Sequence, residues 1–260
     1  MHLAADRDWR DKGNVDSCGV VYFALERAGL LERSLLAYQI RDDVPSNIPL
    51  IFSPALIDLG DLKSVEKIVA TVKTAEYQFG CSVGLIAIDT YNKGIAAGGR
   101  DEDKAKDQNA VNANMRRILG QVNVHIAGVG HMGKDENKGE RGSNARLADV
   151  DLLVKVSGDP IRSVEIDKAN DQADGELTTF TLDVVKIGDD EDGDPIETTI
   201  LSRDATLGPC AAKPRGKKTA SQHTILKHAI LDAYDRLADG VAASSGLNGK
   251  SVRKISVESL

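Results

Sequence analysis

Four short apolar runs set the rhythm of the first half of the chain: GVVYFAL (19–25), IPLIF (48–52), VGLIAID (83–89) and VNVHIA (122–127). A run of four to eight apolar residues closed by a polar one reads as a strand buried on both faces of a parallel sheet. Helical periodicity fills the intervals. A helix over Gly29–Arg41 carries Leu31, Leu35 and Tyr38 at the spacing of a core-facing stripe. Another, from about Leu62 to Phe79, turns Leu62, Val65, Val69 and Val72 inward behind Asp61 as N-cap. A third, Lys104–Leu119, aligns Val111, Met115 and Ile118. Strand and helix in alternation predict βαβ units. From Asp151 the period changes to two. Residues 151–156, 162–171, 177–187 and 195–201 read as antiparallel strands, with Phe180, Leu182 and Val184 alternating and an Asp192-Gly193 turn in DDEDGDP.

The two ends of the sequence read differently. Residues 1–10 look like the back of an amphipathic helix, with no N-cap before Leu3 and a Lys12-Gly13-Asn14 turn after it. GPCAAKPRGKKTAS (208–221), with two prolines, two glycines and a basic cluster, predicts a linker. Beyond it Ser221 caps a helix to about Asp239 that aligns Leu226, Ile230, Ala233 and Leu237. The expected division is an α/β core over 1–205, a basic linker over 206–222 and a helical or winged-helix appendage over 223–260.

Composition narrows the class. The 260 residues are 41% hydrophobic and 28% charged, ordinary for a globular protein. A net charge of −7 argues against tight DNA binding by the general surface and leaves room for a local basic channel in an oligomer. Cys18, Cys81 and Cys210 are too few and too scattered for a disulfide framework or a CxxC metal site. MHLAADRDWR has no signal-peptide form, and no apolar run approaches the ~20 residues of a membrane helix. The chain reads as cytoplasmic, with no membrane partner.

Chemistry gathers at the predicted strand ends. Asp89 closes the third apolar run and His131 follows the fourth, both on the rim where open α/β sheets bind ligands. Glu26 closes the first. Its carboxylate can orient a water there, or simply pair with Arg27 or Arg33. GIAAGGRDEDKAKD (94–107) predicts a charged, glycine-rich loop at the same rim, functional or merely solvated. Lys134, Lys138 and Arg141 make a basic loop that suits phosphate or is a solvated charge run. Two motifs mislead. GVGHMG (128–133) spells G-x-G-x-x-G, but KDENKGERGSN after it cannot form the helix that a dinucleotide site needs. SSGLNGKS (244–251) lacks the first glycine of a phosphate loop and follows a helix rather than a strand. DDEDGDP is no EF-hand, since its glycine comes too early and the closing glutamate is missing.

DTYNKGIAAGGRDEDKAKD, followed by VHIAGVGHMGKDENKGERGSNARLADVDLLVKV, resembles the RecA/RepA-type P-loop ATPases of plasmid, phage and prophage replication, over roughly residues 1–201. The resemblance implies a RecA-like, mostly parallel sheet flanked by helices, Mg²⁺ and ATP as cofactors, and a homo-oligomeric (hexameric) ring acting on single-stranded DNA. It places Mg²⁺ on Asp89 through water, water activation on Glu26, γ-phosphate sensing on His131 and a finger reaching a neighbouring subunit on Arg141. Lys134 and Lys168 would join the nucleotide contacts. The helicases' Lys-x-Arg appears here as Lys168-Ala169-Asn170, so the arginine is lost. The family's strand and G-x-x-x-x-G-K-[ST] loop are absent from this sequence, which the resemblance implies is truncated before residue 1. That strand is expected beside the one ending in Asp89, so its loss should leave a gap inside the sheet. A non-hydrolysing remnant that binds protein or DNA is the alternative, and a dinucleotide enzyme a distant one.

Overall fold

The computed structural model describes residues 1–10, 13–14, 16–131, 149–171 and 173–203, together with the backbone of 244–245 and 251–252. The chain divides into two compact units, Met1–Gly208 and Pro209–Leu260.

Four parallel strands form the central sheet of the first unit: β1 (Gly19–Ala24), β2 (Leu50–Ser53), β3 (Val83–Asp89) and β4 (His125–Val129), in the order β2-β1-β3-β4. The connecting helices are α1 (Ala28–Asp42), α2 (Leu62–Phe79), α3 (Tyr91–Ala96) and α4 (Ala105–Leu119). Val21, Phe23, Ile86 and Ile88 meet Val65, Ile68 and Val72 of α2 and Val111 and Ile118 of α4 in one buried cluster. This is the α/β architecture expected from the alternation. The expected gap is not there: β3 pairs with β1 on one side and β4 on the other. The edges of the sheet, among the described residues, are β2 and β4.

Helix α2 begins and ends where its caps dictate. The Asp61 carboxylate accepts from the Lys63 amide, and Gly80 closes the helix at φ +67°, its N–H donating to the Glu76 carbonyl. Leu62, expected inward, lies in the first turn and is 57% exposed; Ile68 takes the core position instead. Strand β4 starts three residues later than the apolar run, because Val122 and Val124 pack against the core ahead of it.

Helix α1 departs further from expectation. Its one buried residue is Ala37, while Leu31, Leu35 and Tyr38 are only half-covered. The reason is its partner. The helix lies against a two-stranded hairpin, β8 (Leu182–Asp189) and β9 (Pro195–Leu201), too narrow to cover a whole apolar stripe. Tyr38 Oη accepts from the Leu201 amide, and the Arg41 guanidinium donates to the Leu201 carbonyl and to Asp183.

The run 177–187 is not one strand but two. It breaks at Thr181 between β7 (Gly175–Phe180) and β8; β7 belongs to an antiparallel sheet with β5 (Leu152–Ser157) and β6 (Arg162–Ala169), in the order β5-β6-β7. At the break the Thr181 carbonyl accepts from the Ser202 amide, outside either ladder. The hairpin turn of β8–β9 holds Gly193 at φ +85°, the conformation that Asp-Gly supplies.

Residues 1–10 are turns rather than the end of a helix. Single helical-type bonds from Ala5 to Met1 and from Arg7 to His2 stop at Asp6 and Arg10, whose φ values are +50° and +58°. Tertiary bonds override the helical period. Arg7 donates to the carbonyls of Asp42 and Asp43 at the end of α1, and Arg10 to those of Thr179 and Ser202. In the second unit, β10 (Ser244–Ser245) and β11 (Ser251–Val252) pair antiparallel within the stretch expected as a helical or winged-helix appendage. The predicted helix 221–239 lies outside the described residues.

Candidate functional site

Strand register builds the site. In the parallel ladders Ala24 of β1 faces Asp89 of β3, and Asp89 faces Val129 of β4. Glu26 and His131 each follow two residues beyond that row. Three adjacent strands therefore deliver Glu26, Asp89 and His131 to one C-terminal rim, with Asp89 in the middle. The Asp89 carbonyl accepts from the amides of Leu25, at 2.6 Å, and Glu26, at 3.2 Å, which ties the exit of β1 to the end of β3.

The Asp89 side chain is half-buried, and its Oδ2 accepts a 2.7 Å hydrogen bond from the Tyr22 hydroxyl. Burial pushes the Tyr22 phenol well above its ordinary value, and the hydrogen bond to Asp89 and its negative charge push the same way. The phenol is thus a fixed neutral donor. The peptide joining Asp89 to Thr90 is cis. Thr90 and Tyr91 turn inward after it, and Tyr91 lies against Gly128: a Cβ there would sit 3.0 Å from the Tyr91 ring. The first glycine of the G-x-G-x-x-G run thus serves packing within β4.

Glu26 is half-buried. Its nearest cation among the described residues is Arg27, at 3.7 Å with a side chain 74% exposed, a pairing too long and too wet to contribute much. His131 is exposed. Lys134, Lys138 and Arg141 lie outside the described residues. Lys168 stands on β6, in the antiparallel sheet, where its ammonium donates to the Val150 carbonyl at 2.7 Å. The structure brings Glu26, Asp89 and His131 together and leaves Lys168 in another sheet.

Two loops wall the same rim. The segment expected as a loop over 94–107 is helical up to Ala96, and only 97–104 remains loop. Arg100 pins that loop by donating to both Asp58 oxygens, at 2.7 and 2.8 Å, and to the Gly60 carbonyl. Leu59, almost fully buried, sits between: its amide donates to Gly94 and its carbonyl accepts from Asn114.

A resident metal cage is not built here. Among the described residues no cluster of three or more His, Cys, Asp or Glu is placed to hold an ion. A single carboxylate with one oxygen engaged does fit Mg²⁺, which keeps waters and takes one or two carboxylates plus phosphate oxygens. Two cavities, of about 290 and 630 Å³, lie elsewhere and include none of Glu26, Asp89 or His131. The larger is lined by Arg7, Arg10, Arg41 and Arg203, all held by protein carbonyls or carboxylates, so enclosure marks no chemistry there.

Tyr22 was not singled out from the sequence. A tyrosine inside GVVYFAL, two residues before the last strand position, shares a face with the strand end. Its partner appears only once β1 is set beside β3 in register. No helix of the described residues is long and apolar enough to cross a membrane. Residues 1–137, which include β1 to β4 and all three rim residues, match the family model described as an AAA domain. No curated protein matches the chain.

Proposed function

The chain belongs to the AAA-domain family of P-loop ATPases, and on that premise we propose that it is the RecA-like domain of a DNA replication ATPase or helicase working as a homo-oligomeric, hexameric ring. The observation that carries this reading is the rim row: Ala24, Asp89 and Val129 in register, with Glu26 and His131 two residues beyond. ATP with Mg²⁺ supplies the phosphoanhydride and the charge neutralisation. Asp89 holds the metal's water shell through its free oxygen. Glu26 orients the attacking water, and His131 donates a hydrogen bond to the terminal phosphate. Lys134 gives that phosphate a second cation. Arg141 and Lys168 act on a neighbouring subunit's nucleotide, where the planar arginine fork suits spreading phosphate charge. Single-stranded DNA is the macromolecular partner, gripped by a basic channel of the ring rather than by the acidic general surface.

One feature favours a second reading. No G-x-x-x-x-G-K-[ST] occurs in these 260 residues, and the amides and lysine of that loop supply much of the grip on β- and γ-phosphates. A chain without it serves as a protein- or DNA-interaction module.

Photo-crosslinking with azido-ATP and Mg²⁺ separates the two. The nucleotide reading expects label on peptides holding Glu26, Asp89 or His131, lost on chelation and in Asp89→Ala. Turnover by this chain alone should stay at background. Label that ignores Mg²⁺ and Asp89 would leave the interaction module as the function.

A further inference from the structure

Asp89 presents two carboxylate oxygens, and they are not equivalent. Oδ2 accepts from the Tyr22 hydroxyl at 2.7 Å, and no other hydrogen bond reaches the carboxylate among the described residues. The tyrosine is itself held. It sits on β1 opposite Ala87, its side chain is half-buried, and its ring packs on Phe52 of β2 at 5.8 Å between centroids, tilted by 58°. A ring fixed by a neighbouring strand fixes the hydroxyl, and the hydroxyl fixes the rotation of the carboxylate.

We infer that Tyr22 is a positioning residue that engages one oxygen of Asp89, steers the metal to the other, and so biases the rim toward Mg²⁺ over Ca²⁺. This rests on the reading of Asp89 as the Mg²⁺ carboxylate. The physical reason is the difference between the two ions. Mg²⁺ demands near-ideal octahedral geometry, dehydrates reluctantly and is served by one oxygen, direct or through water. Ca²⁺ takes six to eight ligands and readily accepts both oxygens of one carboxylate. An Oδ2 that accepts from the phenol has one of its lone pairs engaged and its direction set, so the two-oxygen mode is weakened relative to the one-oxygen mode. Hydrogen bonds to a ligating carboxylate generally matter at this scale: losing one costs about 10–100-fold in metal affinity.

The test uses the full chain and Mn²⁺ alone as probe, read by paramagnetic broadening of the amide signals of Leu25 and Glu26, which are bonded to the Asp89 carbonyl. Mg²⁺ or Ca²⁺ is then titrated in to displace it. Tyr22→Phe keeps the ring and removes the hydroxyl. It should shift the Mg²⁺/Ca²⁺ displacement ratio toward Ca²⁺ by roughly tenfold, the low end of that range. Phe52→Leu loosens the ring's packing without touching the hydroxyl, and a merely structural role would move both variants alike. Because Phe52→Leu keeps the hydroxyl and only loosens its ring, the inference expects it to move the ratio in the same direction as Tyr22→Phe but by clearly less. An unchanged ratio in Tyr22→Phe, while Asp89→Asn abolishes the broadening, overturns the role of Tyr22 and leaves Asp89 as the metal carboxylate. Broadening that survives Asp89→Asn overturns both, because the tyrosine would then orient a carboxylate no metal uses.

Discussion

Asp42 shows how much of this structure rests on single long-range contacts. Its carboxylate accepts from Arg41 at 2.7 Å and from Arg203 at 2.8 Å, and its carbonyl accepts from Arg7. The hydrogen bond from Arg41 holds the carboxyl below its ordinary range, helped by Arg203 and opposed by burial. A depressed folded-state value means stabilisation that is fully present above the unfolded value of about 3.9 and is lost as pH falls through the folded one. Asp42→Asn should therefore lower stability by about 1–3 kcal/mol at neutral pH and flatten the loss of stability below about pH 4 in urea melts. An acid limb as steep as wild type would place the acid-sensitive group elsewhere. Contacts of this kind could not be read from sequence, because Arg203 and Asp42 stand 161 positions apart. Glu26, Asp89 and His131 were legible for the opposite reason. Each follows a buried run, and a strand's end in the sequence is also its end in space.

At the scale of elements, legibility followed local chemistry. Helix α2 was legible to the residue because Asp61 and Gly80 bracket it with their own side-chain and backbone chemistry. Helix α1 was placed with the right face toward its partner but expected too deep, since periodicity gives a face and not the width of what covers it. The 177–187 run hid a break because Thr181 suits a strand as well as its neighbours do; only the Ser202 amide, arriving from the end of β9, decides it. Gly94 makes the same point within α3. A helical glycine replaced by alanine should gain up to about 1 kcal/mol of intrinsic propensity. Here the new Cβ would lie 2.5 Å from Leu59 Cδ1, 2.6 Å from its Cγ and 2.9 Å from Leu25 Cδ1. Leu59 is 1% exposed and has nowhere to go. Overpacking, at about 1–3 kcal/mol, outweighs the propensity gain, so Gly94→Ala should melt lower than wild type. A higher melting temperature would mean that the Leu59 loop yields easily and the rim wall is softer than its contacts suggest.

For the first unit as a whole, the sheet order sets the distribution of stability. Strands β1 and β3 are paired on both sides and covered on one face by α2 and α4, and Val21, Ile86 and Ile88 are almost wholly buried. The pairing of β3 on both sides removes the central gap that a lost neighbour would have left. The exposed backbone belongs to β4 instead. His125 and Val129 face solvent, the latter 43% exposed, and beyond Val129 among the described residues no strand pairs with this edge. Amides inside a doubly paired strand exchange only through large-scale opening, whereas those on a free edge exchange by local fraying. Native-state hydrogen exchange should thus find β1 and β3 most protected and the outward amides of β4 fastest in the sheet. An edge with bare N–H and C=O groups and an exposed valine also invites pairing with another chain, and a lysine there blocks such pairing. Val129→Lys should reduce concentration-dependent self-association while leaving protection in β1 and β3 intact. If instead the β4 amides exchange as slowly as those of β3, and remain slow on dilution, the edge is covered within the molecule and the free-edge account of β4 is wrong.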